Sequence, residues 1–222
     1  NSTDFGNVKI QAYAGGSTLA LGSAGTVYLE PQPQAPGRGL LLIDASNIVS
    51  TLTTLISSNV TDTVVGTVVI TNKARFQIAT NQALTVNGSW LRGTNTSFIA
   101  DSNSTVIIAG TNPATIMGTN TFYNLTAGAA GKTILFEAGK TNTVNGMLIF
   151  QNGSTLLSMV DGLQWGLNLV DPGGTQQVGR VTVKDSDADG GQKINAARYS
   201  IDLLNNANWF FIPLSGSIFV IR

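Results

Sequence analysis

Thr67-Val68-Val69-Ile70 opens a run of short apolar segments that decides the fold. It continues through Arg75-Phe76-Gln77-Ile78, Leu84-Thr85-Val86, Ser97-Phe98-Ile99-Ala100 and Thr105-Val106-Ile107-Ile108, then Thr133-Ile134-Leu135-Phe136 and Met147-Leu148-Ile149-Phe150. Each segment is rich in β-branched or aromatic residues and is bounded by Asn, Gly, Ser and Thr, which is the pattern of a short strand between turns. From Gly66 to about Ser158 the segments stand too close together for intervening βαβ helices, which leaves a sandwich, a barrel or a β-helix.

Internal echoes select the β-helix. Leu84-Thr85-Val86-Asn87-Gly88 is answered further along by Asn142-Thr143-Val144-Asn145-Gly146. Phe122, Phe136 and Phe150 recur at equal intervals, which reads either as an aromatic stack or as a chance alignment in a Thr/Asn/Gly-rich chain. Stacked coils bury one continuous core that no single coil could form. The expected fold is all-β, a parallel β-helix or β-solenoid from about Val8 to Val183. Residues 1–164 form its body, 165–213 a closing region anchored by Trp209 and Phe210, and 214–222 a terminal apolar strand.

Composition supports many strands and many turns. The 222 residues include 26 Thr, 20 Asn and 25 Gly against 6 Pro, and Asn and Gly tolerate the left-handed backbone of tight turns. Only 11% of residues are charged, with 12 basic and 12 acidic side chains, so the chain presents no strong field to nucleic acid. No run of 18 apolar residues predicts membrane insertion, and the opening NSTDFGNVKIQ lacks the basic and apolar regions of a signal peptide. Cys and His are both absent, which removes disulfides, thiolate and imidazole metal ligands, Cys nucleophiles and His bases.

One segment stays open between helix and strand. In Asp44 to Ser58, Ile48, Val49, Leu52, Leu55 and Ile56 fall on one helical face after a Ser46 cap, yet the Thr, Ser and Ile content also suits strands.

Several stretches are collinear with a repeat module. They are Gly22-Ser23-Ala24-Gly25-Thr26-Val27-Tyr28-Leu29, Leu42-Ile43-Asp44, Thr121-Phe122-Tyr123-Asn124-Leu125-Thr126, Gly131-Lys132-Thr133 and Phe136-Glu137-Ala138-Gly139-Lys140-Thr141. Thr143-Val144-Asn145-Gly146, Val183-Lys184-Asp185-Ser186, Ser200-Ile201-Asp202 and the closing Asn205-Asn206-Ala207-Asn208-Trp209 follow. Together they resemble a module of very large secreted or surface-anchored, adhesin-like β-helical proteins of environmental bacteria. The resemblance implies a parallel β-helix serving as stalk, adhesin or surface fibre, outside the cell, with no catalytic residues to transfer. This chain departs from those giants in being one short module that ends in an apolar strand, which points to a subunit assembling with copies of itself.

Three sets of residues are candidates for chemistry. Asp185-Ser186-Asp187-Ala188-Asp189-Gly190 alternates three carboxylates before a turn glycine, as a calcium loop does. Ala196 stands where the bidentate acid of a full loop belongs, so a solvated turn is the competing reading and calcium the one cofactor to test. A polysaccharide lyase or glycosidase would draw on Glu137 and Asp161 with Arg75 or Arg92, although isolated solubilising charges are the competing explanation. Trp90, Trp165 and Trp209 are either sugar platforms for glycan contacts or core anchors. Sequons at Asn1, Asn59, Asn87, Asn95, Asn103, Asn124 and Asn152 follow from so much Asn, Ser and Thr.

The expected function is therefore non-enzymatic: a subunit of an extracellular bacterial fibre, sheath or surface layer, forming a homopolymer. Ile218, Phe219, Val220 and Ile221 are the expected assembly strand, because four consecutive apolar, β-prone residues need a partner edge, either on a neighbouring copy or, as the competing reading, on their own chain. An adhesin module is the alternative and a lyase the second.

Overall fold

The computed structural model describes residues 10–15, 22–32 and 34–212. Its 24 strands form a β-solenoid of about seven turns, and there is no helix among the described residues. Successive strands fall on three faces in rotation. The first face comprises Thr26–Leu29, Leu40–Asp44, Thr67–Thr71, Trp90–Arg92, Ala114–Met117, Thr133–Phe136, Thr155–Ser158, Thr182–Val183 and Ile201–Asp202. The second runs through Thr54–Ile56, Arg75–Ile78 and Ser97–Ala100, then Asn120–Phe122, Thr141–Val144, Trp165–Leu169 and Ser186–Asp187. On the third lie Val64–Val65, Ala83–Val86, Thr105–Ile108, Asn124–Ala127, Met147–Phe150 and Thr175–Val178, followed by Ile194–Ala196 and Trp209–Phe211.

Side chains alternate in every face. Along Thr105–Ile108, Val106 and Ile108 are buried while Thr105 and Ile107 are partly exposed. A strand sends successive side chains to opposite sides, so in a narrow solenoid one side fills the core and the other meets water. That explains why Thr and Asn outnumber charges: they satisfy an outward pleated surface without weakening the strand.

Between residues 54 and 108 most strand pairings keep one step. Thr54 lies opposite Phe76, Phe76 opposite Phe98, Val68 opposite Trp90 and Ala83 opposite Thr105, and the same step of 22 residues separates Asn81 from Asn103. Constant length stacks like on like at the corners. Asn81 and Asn103 both adopt left-handed φ near 60°, and the Asn103 amide donates to Asn81 Oδ1 at 2.7 Å. Gly66, Gly88 and Gly110 form a second column where the loop 36–39 passes close. A Cβ at Gly66 would run into the Arg38 carbonyl, and one at Gly88 would come within 2.8 Å of the Gly66 oxygen.

Aromatics fill the core of these coils. Phe76 and Phe98 stack at 6.0 Å and Phe98 lies 5.6 Å from Phe122, while Trp90 meets Phe98 edge-on at 4.6 Å from the opposite face. The expected stack of Phe122, Phe136 and Phe150 does not form. All three are fully buried, but their spacing is shorter than a coil, so they stand on the second, first and third faces respectively. Phe136 instead stacks on Trp165 at 3.8 Å and 7°.

One open reading is decided for strand, and the pairing shows how far the coil extends. Ser46 and Asn47 turn the chain with φ of 49° and 64°, which no helix admits, and Thr54–Ile56 continues as a strand, leaving Val49, Leu52 and Leu55 exposed. Parallel pairing begins at Leu40 and runs past Val183 to Phe211, so residues 165–211 continue the same three faces. Thr26–Leu29 is antiparallel to Leu40–Asp44 and heads the first face. Residue 8, the expected start of the coil, lies outside the described residues.

Candidate functional site

The late coils abandon the constant period. Met147 lies opposite Thr175 and Thr155 opposite Thr182, both longer steps than the one from Thr54 to Phe76, whereas Thr182 lies opposite Ile201, a shorter one. The extra length emerges as loops at the corners. In one of them Met159, Val160 and Leu163 are exposed beside Leu204, tied there by the Asn205 amide donating to the Gly162 carbonyl at 3.3 Å and the Gln164 amide to the Asn205 carbonyl at 2.9 Å.

The C-terminal end presents open edges. Ile201–Asp202 pairs on one side with Thr182–Val183, and Trp209–Phe211 on one side with Ile194–Ala196. No other described strand covers either outer edge. Apolar side chains surround them: Ile201 is 53% exposed, Leu204 74% and Phe210 48%. At the other end the segments 10–15 and 22–25 fold over the coil. Gly25 N–H donates to the Ala12 carbonyl at 2.8 Å, the Thr54 hydroxyl donates to the Ala24 carbonyl, and Ala14 and Ala24 are buried.

Trp90 and Trp165 are buried, with their indole N–H groups donating to Asn120 Oδ1 at 2.9 Å and the Lys184 carbonyl at 3.2 Å. Trp209 is half-buried, donates to Ser186 Oγ at 3.0 Å and stacks on Phe211, while Phe210 is exposed. Ile218, Phe219, Val220 and Ile221 lie outside the described residues.

The acidic run does not converge. Asp185, at left-handed φ of 55°, turns inward and is buried, accepting from Gly162 N–H at 3.0 Å and the Asn205 amide at 2.7 Å. Burial opposes its charge, but those two donors and Lys184 together hold the carboxyl below the usual Asp value. Asp187 instead accepts from the Asp189 N–H at 2.9 Å, closing a local turn. Among the described residues no three acidic side chains gather around a common point. Glu137 accepts from Gly118 N–H and shares a shallow depression with Arg92 and Lys140, whereas Asp161 pairs with Lys184. The depression therefore holds one carboxylate of the two that a glycosidase uses. Arg75 has a buried Nε without a partner and lines no part of that depression.

Between the third face and the end lies a groove that sequence reasoning missed. It encloses about 790 Å³ and is lined by Gln151, Asn152, Gln177, Asn195, Arg180 and Arg198 among others. Arg180 sits 5.8 Å above the Tyr199 ring, which the short step of the next coil brings beside it.

Fold and ends together define a three-faced parallel β-solenoid, covered at its N-terminal end and open at its C-terminal end among the described residues. No protein-family model matches the chain, and no curated protein or solved structure shows significant similarity to it.

Proposed function

We propose that this chain is a structural subunit of an extracellular bacterial fibre, sheath or surface layer, polymerising end to end through solenoid edges. The observation that carries the reading is the C-terminal end, where open strand edges coincide with exposed Ile201, Leu204 and Phe210. Unpaired backbone donors and acceptors beside apolar side chains form a template for strand addition. Phe211 closes the last described strand at that end, and Ile218-Phe219-Val220-Ile221 follows it in sequence, long enough for one strand added to a neighbouring copy. Low charge removes the repulsion that would keep copies apart. The extracellular, bacterial setting rests on the resemblance.

Negative-stain microscopy of the full chain tests the reading. Filaments are expected, and deletion of 217–222 should leave a folded monomer. Leu204→Lys with Phe210→Lys should also abolish filaments while leaving the melting temperature unchanged, because both side chains are exposed. Filaments that persist in both variants, or a full chain that stays monomeric at high concentration, would overturn it.

A further inference from the structure

The lateral groove carries an inference independent of assembly. Its lining is polar in a specific way: five amide side chains, Gln151, Asn152, Gln176, Gln177 and Asn195, surround the guanidinium groups of Arg180 and Arg198, and no carboxylate lines it. Neither arginine forms an ion pair among the described residues, in a chain whose acids equal its bases in number. Two uncompensated cations in a concave, amide-rich surface are poised for an anion that also carries hydroxyls.

The concavity does not stop at the corner. A second hollow of about 570 Å³ shares Asn152 and Arg180 with the first and continues past Gly153, Thr182 and Tyr199 onto the first face. Arg180 is fixed at the junction by a left-handed φ of 52° and by Tyr199, while its carbonyl accepts from Gly153 N–H at 2.8 Å. A continuous track of this kind suits an extended chain rather than a compact molecule.

We propose that this track, from Gln177 and Arg198 across Arg180 to Tyr199, binds a uronate-bearing polysaccharide strand. Arginine presents paired N–H donors that match a carboxylate, and amide side chains both donate to and accept from sugar hydroxyls. Tyr199, 64% exposed, adds an aromatic flank on which a sugar ring can rest. Duplex nucleic acid is the poorer fit: its affinity comes from many basic contacts, whereas this track has two arginines in a chain of zero net charge.

Calorimetric titration of the full chain with short oligogalacturonates tests this, using the fully methyl-esterified oligomer as the uncharged counterpart. Binding that weakens at least about tenfold on esterification, and about tenfold for each of Arg180→Gln and Arg198→Gln, is expected from losing one charge-assisted pair. Unchanged melting temperatures would show that the variants remain folded. Equal affinity for the esterified oligomer, no effect of either substitution, no binding at all, or equal binding of a duplex DNA oligonucleotide would each overturn the proposal. So would substitutions that change the oligomeric state while the oligogalacturonate titration stays flat, since the groove would then be a contact between copies. The titration is run on the deletion variant lacking 217–222 as well, which separates this outcome from any failure of end-to-end assembly.

Discussion

The early coils, around residues 54 to 108, and the late coils, beyond residue 147, use the same three-faced architecture for different ends. In the first, a fixed step of 22 residues aligns Phe76 with Phe98 and Asn81 with Asn103, so each corner and core position is solved once and repeated. In the second, two long steps followed by a short one break every such column. The loops and mismatched edges that result carry exposed Met159, Val160, Leu163, Leu204 and Phe210 and the arginine groove. Regularity builds the repeating coils, and irregularity builds the open edges and the groove.

Tryptophans in the two regions put the comparison under its strongest test. Trp90→Ala should cost about 4 kcal/mol in denaturant unfolding, since it empties a fully buried site among Phe76, Phe98 and Phe122 and strands the Asn120 carbonyl. Trp209→Ala, half-buried in the last coil, should cost about 1–2 kcal/mol. Equal losses would mean that the late coils are packed as tightly as the early ones.

Lys132, near the junction, gives a test by pH. Its side chain is buried and Nζ donates to the carbonyls of Ala109 and Asn112 at 2.6 and 2.7 Å. Burial, with Arg38 nearby, pushes it down to about 8. A cation whose folded pKa lies below its unfolded value penalises the fold at low pH. The penalty lifts as pH rises from about 8 towards 10.5, where the unfolded state still binds the proton and the folded state does not. Stability should therefore increase across that window, and the increase should vanish in Lys132→Met. A parallel pH dependence in both proteins would break the assignment.

Asn142 marks where the internal amide column stops. Asn120 donates to Asn142 Oδ1 at 2.9 Å, but the Asn142 Nδ2 is buried without a partner, and the next coil places Leu167 in its column. Asn120 retains the carbonyls of Met117 and Gly118 as acceptors. Asn142→Leu should accordingly stabilise by about 1 kcal/mol, read from the denaturant midpoint. The smallest effect is expected from chelation: EDTA should leave the melting temperature unchanged, as Asp185 and Asp187 turn to separate partners and no three acidic side chains gather among the described residues. A fall restored by calcium would show a metal in the late coils.

These contrasts explain what is legible in the sequence. Alternating segments such as Thr105-Val106-Ile107-Ile108 announce strands because burial on one side of a pleat writes itself into every second residue. Coil length is not written locally: the even recurrence of Phe122, Phe136 and Phe150 is conspicuous, whereas the recurrence that stacks Phe76 on Phe98 is longer and passes through unlike residues. The inward turn of Asp185 depends on one left-handed residue that no spacing rule anticipates. Gln151, Arg180 and Arg198 meet only because coils of unequal length bring them to one corner, so the groove has no linear signature.

The constant step also makes each early coil an interchangeable part. A duplicated coil inserted between two like it would meet the same Gly, Asn and Phe columns above and below, adding about 4.8 Å of shaft for one added strand per face. Coil number is then a heritable dimension, adjustable by tandem duplication in whole steps while the irregular coils beyond residue 147 keep their chemistry.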